Sequence, residues 1–452
     1  MNRLIRGGLS AAVIAGLALT VTLGAATAPR VQFTDAKLEN GLRVIIAEDH
    51  TAPTFSIAVT YNVGSRNERP GRTGFAHLFE HMMFKGSENV GSGEHFVLVY
   101  GNGGDMNGST NKDRTNYFER LPANQLDLAL FLEADRMKSL DITKDNLQNQ
   151  ISTVQEERRQ SVDNQPYGRT MEALDGLMYE NASYRHSVIG SMQDLTAATV
   201  DDVSAFFRTY YAPNNAVLAI VGDVKPVECL AKVRKYFEGI PSQPPPPEPD
   251  MTEPAQTREK RLTIDDPLVR MPRIDIAYHI PPANTADSEA LNVLGTVLSS
   301  GRSSRFFENV VRQKQLATQA FAGALESRGP GQFRAIALVA PGKDVADVEA
   351  AVYAEIDRVK TGTIEDWELQ KARNSARRSL LGGLTSSLQR AVMLSQYAVY
   401  YNDPNIINTK LGKISAVTAA DVQRVAGKYL TPENRTVVIT MPKPAAATKG
   451  GE

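Results

Sequence analysis

Residues 73–86, TGFAHLFEHMMFKG, carry His77, Glu80 and His81 in the order H-x-x-E-H. On a helix, His77 and His81 fall one turn apart on one face, and Glu80 reaches toward the same side. Two imidazoles so placed suit a small divalent cation such as zinc, which takes nitrogen ligands in a tetrahedral site. A carboxylate beside them can accept a proton from water at the metal. The order is the mirror of the H-E-x-x-H metalloprotease helix. The neighbours Phe75, Ala76, Leu78, Phe79, Met82, Met83 and Phe84 are apolar. The helix is therefore expected to be buried, and its polar side chains need partners there. The bland alternative is a pair of core histidines bonded to a glutamate, and the rest of the chain has to separate the two.

A chain of 452 residues is too long for one core and implies two or more domains. Its 42% hydrophobic and 22% charged residues are ordinary for a soluble globular protein. A net charge of −1, with no basic stripe, gives no reason to expect nucleic acid. Cys229 is the single cysteine, so no intrachain disulfide forms; in VECLAKVRKYF it reads as a small buried residue. Arg3 and Arg6 precede an uncharged stretch, residues 7–28, that ends in Ala26-Thr27-Ala28. That is the layout of a secretory signal and predicts export to a bacterial periplasm. The alternative is an uncleaved inner-membrane anchor, since the stretch approaches the roughly 20 residues of a spanning helix.

Residues 31–48 read as a hairpin with Asn40-Gly41 as its turn, followed by a strand over 54–63. The glycines of GNGGDMNGSTNKDRTNY (101–117) lack the spacing of a dinucleotide loop. Polar alternation over 106–118 predicts exposed strands. Amphipathic helices are expected over 125–140, with Leu126, Leu130 and Met137 inward, and over 144–162, with Leu147, Ile151, Val154 and Val162 as its stripe. Gln150, Val154 and Glu157 share a face of the second helix. Glu157 borders the stripe, which makes it either a further metal ligand or a surface glutamate of the charged run 156–159.

Residues 199–224 return at 418–443. At an offset of 219, seven positions are identical: Thr199/Thr418, Asp202/Asp421, Val203/Val422, Tyr210/Tyr429, Pro213/Pro432, Asn215/Asn434 and Ile220/Ile439. Two homologous halves explain this. Residues 241–254, with Pro244 to Pro247 in a row, form a stiff spacer between them. The expected layout is a signal at 1–28, a metal-binding domain at 31–240, a linker at 241–257, a second domain at 258–445 and a tail at 446–452. The second half has no counterpart of His77 and His81; SEALNVLGTVLSS stands in that place.

The H-x-x-E-H helix resembles the zinc site of the pitrilysin family, which includes insulin-degrading enzyme and mitochondrial processing peptidase. LENGLRVI, GGDMNGSTNKDRTNYFERLP, EERRQSVDNQPYGR and LSSGRSSRFFENVVRQ support the resemblance over the whole chain after the signal. It is most similar to the short-subunit branch. The resemblance implies an α+β fold of two homologous α/β-sandwich domains, each a mixed, mostly antiparallel sheet covered by helices. It implies Glu157, 76 residues after His81, as the third zinc ligand, and Glu80 as general base. It implies Arg390 and Tyr397 as residues that hold substrate and stabilise the oxyanion across a subunit interface. Asn107 is implied as a contact to a peptide added beside an exposed strand.

Two positions depart from the family pattern. Gln150 stands where a second glutamate is usual, and Gly108 where alanine is usual. The expected activity is a zinc endopeptidase acting on unfolded peptides in a clamshell chamber, as a homodimer or with a metal-free sister subunit. The alternative is a non-catalytic assembly subunit. His50, His95, His186 and His279 lack ligand spacing and read as structural or surface residues.

Overall fold

The computed structural model describes residues 30–443; the expected signal (1–28) and tail (446–452) lie outside them. Among the described residues no helix is long and apolar enough to cross a membrane. The chain forms two twisted sheets. The first has the order β1 (Thr34–Lys37), β2 (Arg43–Glu48), β6 (Ala216–Gly222), β3 (Thr54–Tyr61), β5 (Thr115–Pro122), β4 (Asp105–Thr110). The second has the order β7 (Lys260–Asp266), β11 (Arg435–Pro442), β8 (Arg273–Ile280), β10 (Gly331–Val339), β9 (Ala317–Leu325). Each sheet contains one parallel pair, β2 with β6 and β7 with β11, and is otherwise antiparallel. The first sheet adds only β1, joined to β2 by a turn in which Gly41 takes φ 90°.

The internal repeat has a physical basis. Thr199 and Asp202 form a capping box at the start of helix Val200–Tyr210, and Thr418 and Asp421 form the same box before helix Ala419–Tyr429. Past each helix an asparagine closes the turn into the strand. Asn215 Nδ2 donates to Tyr210 O at 2.8 Å, and Asn434 Nδ2 to Tyr429 O at 2.7 Å. Residues 241–259, which hold the proline run, form no helix or strand.

Each half covers the other's sheet. Helix Ser387–Tyr401 lies on the first sheet, where Ser387 Oγ meets Ser56 Oγ at 2.9 Å and Ser395 Oγ meets Thr60 Oγ1 at 2.8 Å. Helix Thr170–Met178 lies on the second sheet, where Thr170 Oγ1 meets Thr440 Oγ1 at 2.7 Å. This exchange joins residues 31–443 into one compact unit. The other face of β3, Phe55, Ile57, Val59 and Tyr61, belongs to the core that also holds Phe75, Leu78, Phe79 and Met82. Residues 75–82 and 387–401 therefore sit on opposite faces of one sheet.

Two expectations need correction. β4 is a half-exposed edge strand, but β5 is buried between β3 and β4, with Asn116 and Glu119 fully inaccessible. Glu119 serves an internal charge network and Asn116 accepts from Ser109 Oγ, while Arg120 alone of the strand faces solvent. The helix expected over 144–162 ends at Arg158 and widens into a π-type turn, Arg159–Asp163.

Candidate metal centre

Helix Phe75–Met82 buries Phe75, Ala76, Leu78, Phe79 and Met82. Phe79 lies against Phe206, Phe207 and Tyr211. That packing turns His77 and His81 to the remaining side, toward helix Lys144–Arg158. The two rings stand nearly perpendicular with centroids 4.8 Å apart. His77 Nε2 lies 3.7 Å, and His81 Nε2 3.4 Å, from the same Glu157 oxygen, Oε2. The glutamate side chain keeps 44% of its accessibility against 13% and 24% for the histidines, so the cluster opens to solvent on the Glu157 side.

These residues fit a zinc ion. Ligand atoms about 2.0–2.1 Å from a tetrahedral centre stand roughly 3.3 Å apart, close to the observed separations. Burial and the neighbouring His81 push the His77 pKa down to about 4, so its ring is neutral and offers a lone pair at neutral pH. Burial also lowers the His81 pKa, against the charge of Glu157 and a hydrogen bond to Gln150. Gln150 is buried beside that ring, as a neutral partner.

Glu80 leaves the same helix toward β4. Its Oε2 accepts a hydrogen bond from Thr110 Oγ1 at 2.6 Å. Burial raises its pKa to about 7, against the Thr110 bond and the charge of Arg114. Gly108 makes room: a Cβ there would stand 3.1 Å from Glu80 Cγ and 3.2 Å from Oε1. Asn107, next along the strand, is exposed at the sheet edge.

Arg390 and Tyr397 are not brought to this cluster within the chain. Arg390 pairs with Asp49 just past β2. Tyr397 lines a cavity of about 420 Å³ between the halves, together with Asn111, Tyr400, Tyr401 and Lys410.

Sequence reading missed three groups. Thr110 sits in a polar strand with no signal of its own. Glu68, in the turn before the histidine helix, accepts from Gly74 N at 2.8 Å and Ala76 N at 2.7 Å, and His186 Nε2 lies 2.8 Å from it. The signal for Glu68 was an acid upstream of a helix that begins at glycine. A second cluster, His95, Glu119 and Glu133, is fully buried. Arg136 pairs with Glu133 there and lies over the Tyr117 and Phe84 rings. A guanidinium already balances that charge, so the cluster is a sealed network and not a cation site. Burial lowers the His95 pKa to about 3 and raises that of Glu133 to about 8.

Residues 43–191 match the family described as "Insulinase (Peptidase family M16)", and residues 197–376 match "Peptidase M16 inactive domain". The chain is 30% identical over 430 residues to "Zinc protease PqqE" of Helicobacter pylori, covering 94% of this chain and 97% of that protein. It is 24% identical over 413 residues to "Probable mitochondrial-processing peptidase subunit beta" of Arabidopsis thaliana, covering 89% and 77%. A solved protease from Helicobacter pylori superposes with a TM-score of 0.87 at 30% identity, covering 91% of this chain and all of that one.

Proposed function

The chain belongs to the insulinase family of peptidases, family M16, and we propose that it is a zinc-dependent endopeptidase that cleaves unfolded peptides. The observation that carries this is the convergence of His77, His81 and Glu157 beside a half-buried Glu80 whose pKa is raised to about 7. His77, His81 and Glu157 would hold the ion. Zinc held there supplies Lewis acidity for the peptide carbonyl and acidifies water near neutral pH.

The remaining chemistry belongs to the chain. Glu80 has a pKa near the working pH, where a group can both take and return a proton. It takes a proton from the attacking water and returns it to the leaving amine. Thr110 holds Oε2, which leaves Oε1 facing the open space above Gly108. The substrate pairs with β4 as an added edge strand, with Asn107 at that contact. Since Arg390 and Tyr397 lie across the sheet from the ligand helix, they reach substrate only from a second subunit, identical or a metal-free sister. The two subunits then close a chamber that admits unfolded chains. Arg3, Arg6 and the uncharged residues 7–28 support a periplasmic setting for this activity.

Mass, zinc content and fluorogenic-peptide cleavage measured together on the purified chain test the reading. Chelator-sensitive cleavage with about one zinc per chain supports it. Stoichiometric zinc without cleavage, alone or after mixing with a sister chain, would leave an assembly subunit.

A further inference from the structure

His77 and His81 come from one helix and Glu157 from another, and something must fix the distance between them. Residues 186–194 touch both. On the histidine-helix side, Thr73 N and Oγ1 donate to Asp194 Oδ2 at 2.9 and 2.5 Å, and Ser191 N donates to Thr73 Oγ1 at 3.1 Å. The backbones of Gly74 and Gly190 are in contact. A Cβ on Gly190, at φ 74°, would lie 2.4 Å from Thr73 O and from Gly74 Cα; one on Gly74, at φ 87°, would lie 2.6 Å from Ile189 O. Neither position has room for a methyl group, and both favour glycine by conformation.

His186 extends the grip. Its Nδ1 lies 2.9 Å from Ala182 O and its Nε2 2.8 Å from Glu68 Oε2. Glu68 in turn holds the amides of Gly74 and Ala76 at the helix N-terminus, where a carboxylate is favoured. The helix has no side-chain cap of its own.

On the glutamate side the contact is Arg158, next to Glu157. Arg158 Nη1 donates to Gly190 O at 2.7 Å. Its guanidinium also forks onto Glu172, at 2.5 and 2.9 Å, and Ser187 Oγ donates to Glu172 Oε1 at 2.7 Å. Only a planar guanidinium reaches the carbonyl and both carboxylate oxygens together. One segment thus grips the chain immediately before the histidine helix and immediately beside Glu157.

We propose that residues 186–194 are a brace that sets the separation of His77 and His81 from Glu157, with Arg158, Gly190 and His186 as positioning residues of the metal centre. The inference rests on the metal-centre reading above. None of these three residues takes part in the chemistry; they hold the ligand helices apart at one distance.

The test uses the full chain and two readouts besides turnover: zinc affinity against a chromophoric chelator, and the visible spectrum of the cobalt-substituted protein. Arg158→Lys and Gly190→Ala should each lower zinc affinity about 10- to 100-fold, the usual range for groups that orient ligands. The cobalt bands should weaken as Glu157 drops out, while the metal-free protein keeps its parental circular dichroism. Ser187→Ala, which removes one hydrogen bond, should give a smaller loss of the same kind, and it decides the matter if Gly190→Ala does not fold. Folded variants with parental zinc affinity and cobalt spectrum would overturn the brace. Glu157→Ala separates the two ideas. If it binds zinc as tightly as the parent, the metal centre itself is misassigned. If it loses zinc while the brace variants keep it, only the brace fails.

Discussion

The two halves share a sheet order, yet the helix that follows the second common strand, β3 or β8, differs sharply between them. In the second half, helix Ala286–Ser299 starts from its own capping box, Thr285 with Ser288, and buries Leu291, Leu294, Val297 and Leu298. In the first half, helix Phe75–Met82 starts at a left-handed glycine and borrows its cap from Glu68, which His186 contacts in turn. Apolar burial is non-directional and tolerates small slides. A ligand set has to be held within roughly 0.5 Å. The same scaffold therefore places one helix by local sequence and packing, and the other by hydrogen bonds from distant segments.

The widest gap between the halves should appear in catalysis. Glu80→Gln should lower kcat about 10²- to 10⁴-fold, the span credited to a positioned general base. Zinc content should stay at one per chain, because Glu80 is not among the three residues that would hold the ion. Turnover at the parental rate would remove Glu80 as base and leave the first half no more chemical than the second.

Next in size is the metal itself. Glu157→Ala should cost roughly 100-fold or more in zinc affinity, beyond the range of groups that merely orient ligands. It should also abolish the rise in melting temperature that zinc gives the parent, since only a ligand bound to the folded state stabilises it. An unchanged zinc-dependent rise would point to another third ligand.

The capping contrast is directly testable. Thr285→Ala, in the second half, should cost about 1 kcal/mol of stability and leave zinc affinity untouched. Glu68→Gln, in the first half, should cost both stability and zinc affinity, the latter about tenfold. Equal effects on zinc from both variants would mean that the first helix is placed by packing after all.

These contrasts explain how much of the molecule could be read from its residues. His77, Glu80 and His81 lie within one helical turn and a half, so local spacing alone puts them on adjoining faces. The repeat was legible because its capping and turn residues do the same local work twice. Glu157 was not, because it sits on the rim of its stripe and points along the protein surface toward another helix; only the distance seen in relatives singled it out. Thr110, Glu68, Arg158 and the pair His186 and Gly190 come from four separate segments, and no periodicity links them. β5 was misread for a related reason. Asn116 and Glu119 look like solvent-facing residues, yet Glu119 is sealed against Glu133, Arg136 and His95, a network formed only in three dimensions.

The smallest effect belongs to the link between the halves at Arg390. Its guanidinium holds the Asp49 carboxyl at about 2, below the ordinary 3.8. A carboxylate whose folded pKa is depressed adds stability above its unfolded pKa, and that share is lost as pH falls toward the folded value. Asp49→Asn should therefore lower the midpoint of urea unfolding slightly at pH 7 and flatten its decline between about pH 4 and pH 2. Both side chains keep some accessibility, 14% for Arg390 and 16% for Asp49, so water screens part of the effect. Zinc affinity should not change, since Asp49 and Arg390 lie across the sheet from the ligand helix. Peptide turnover should respond under the proposed role of Arg390 at a second subunit, because freed from Asp49 it loses its fixed direction. A variant with a flattened acid limb and parental turnover would confine Arg390 to holding the two halves together.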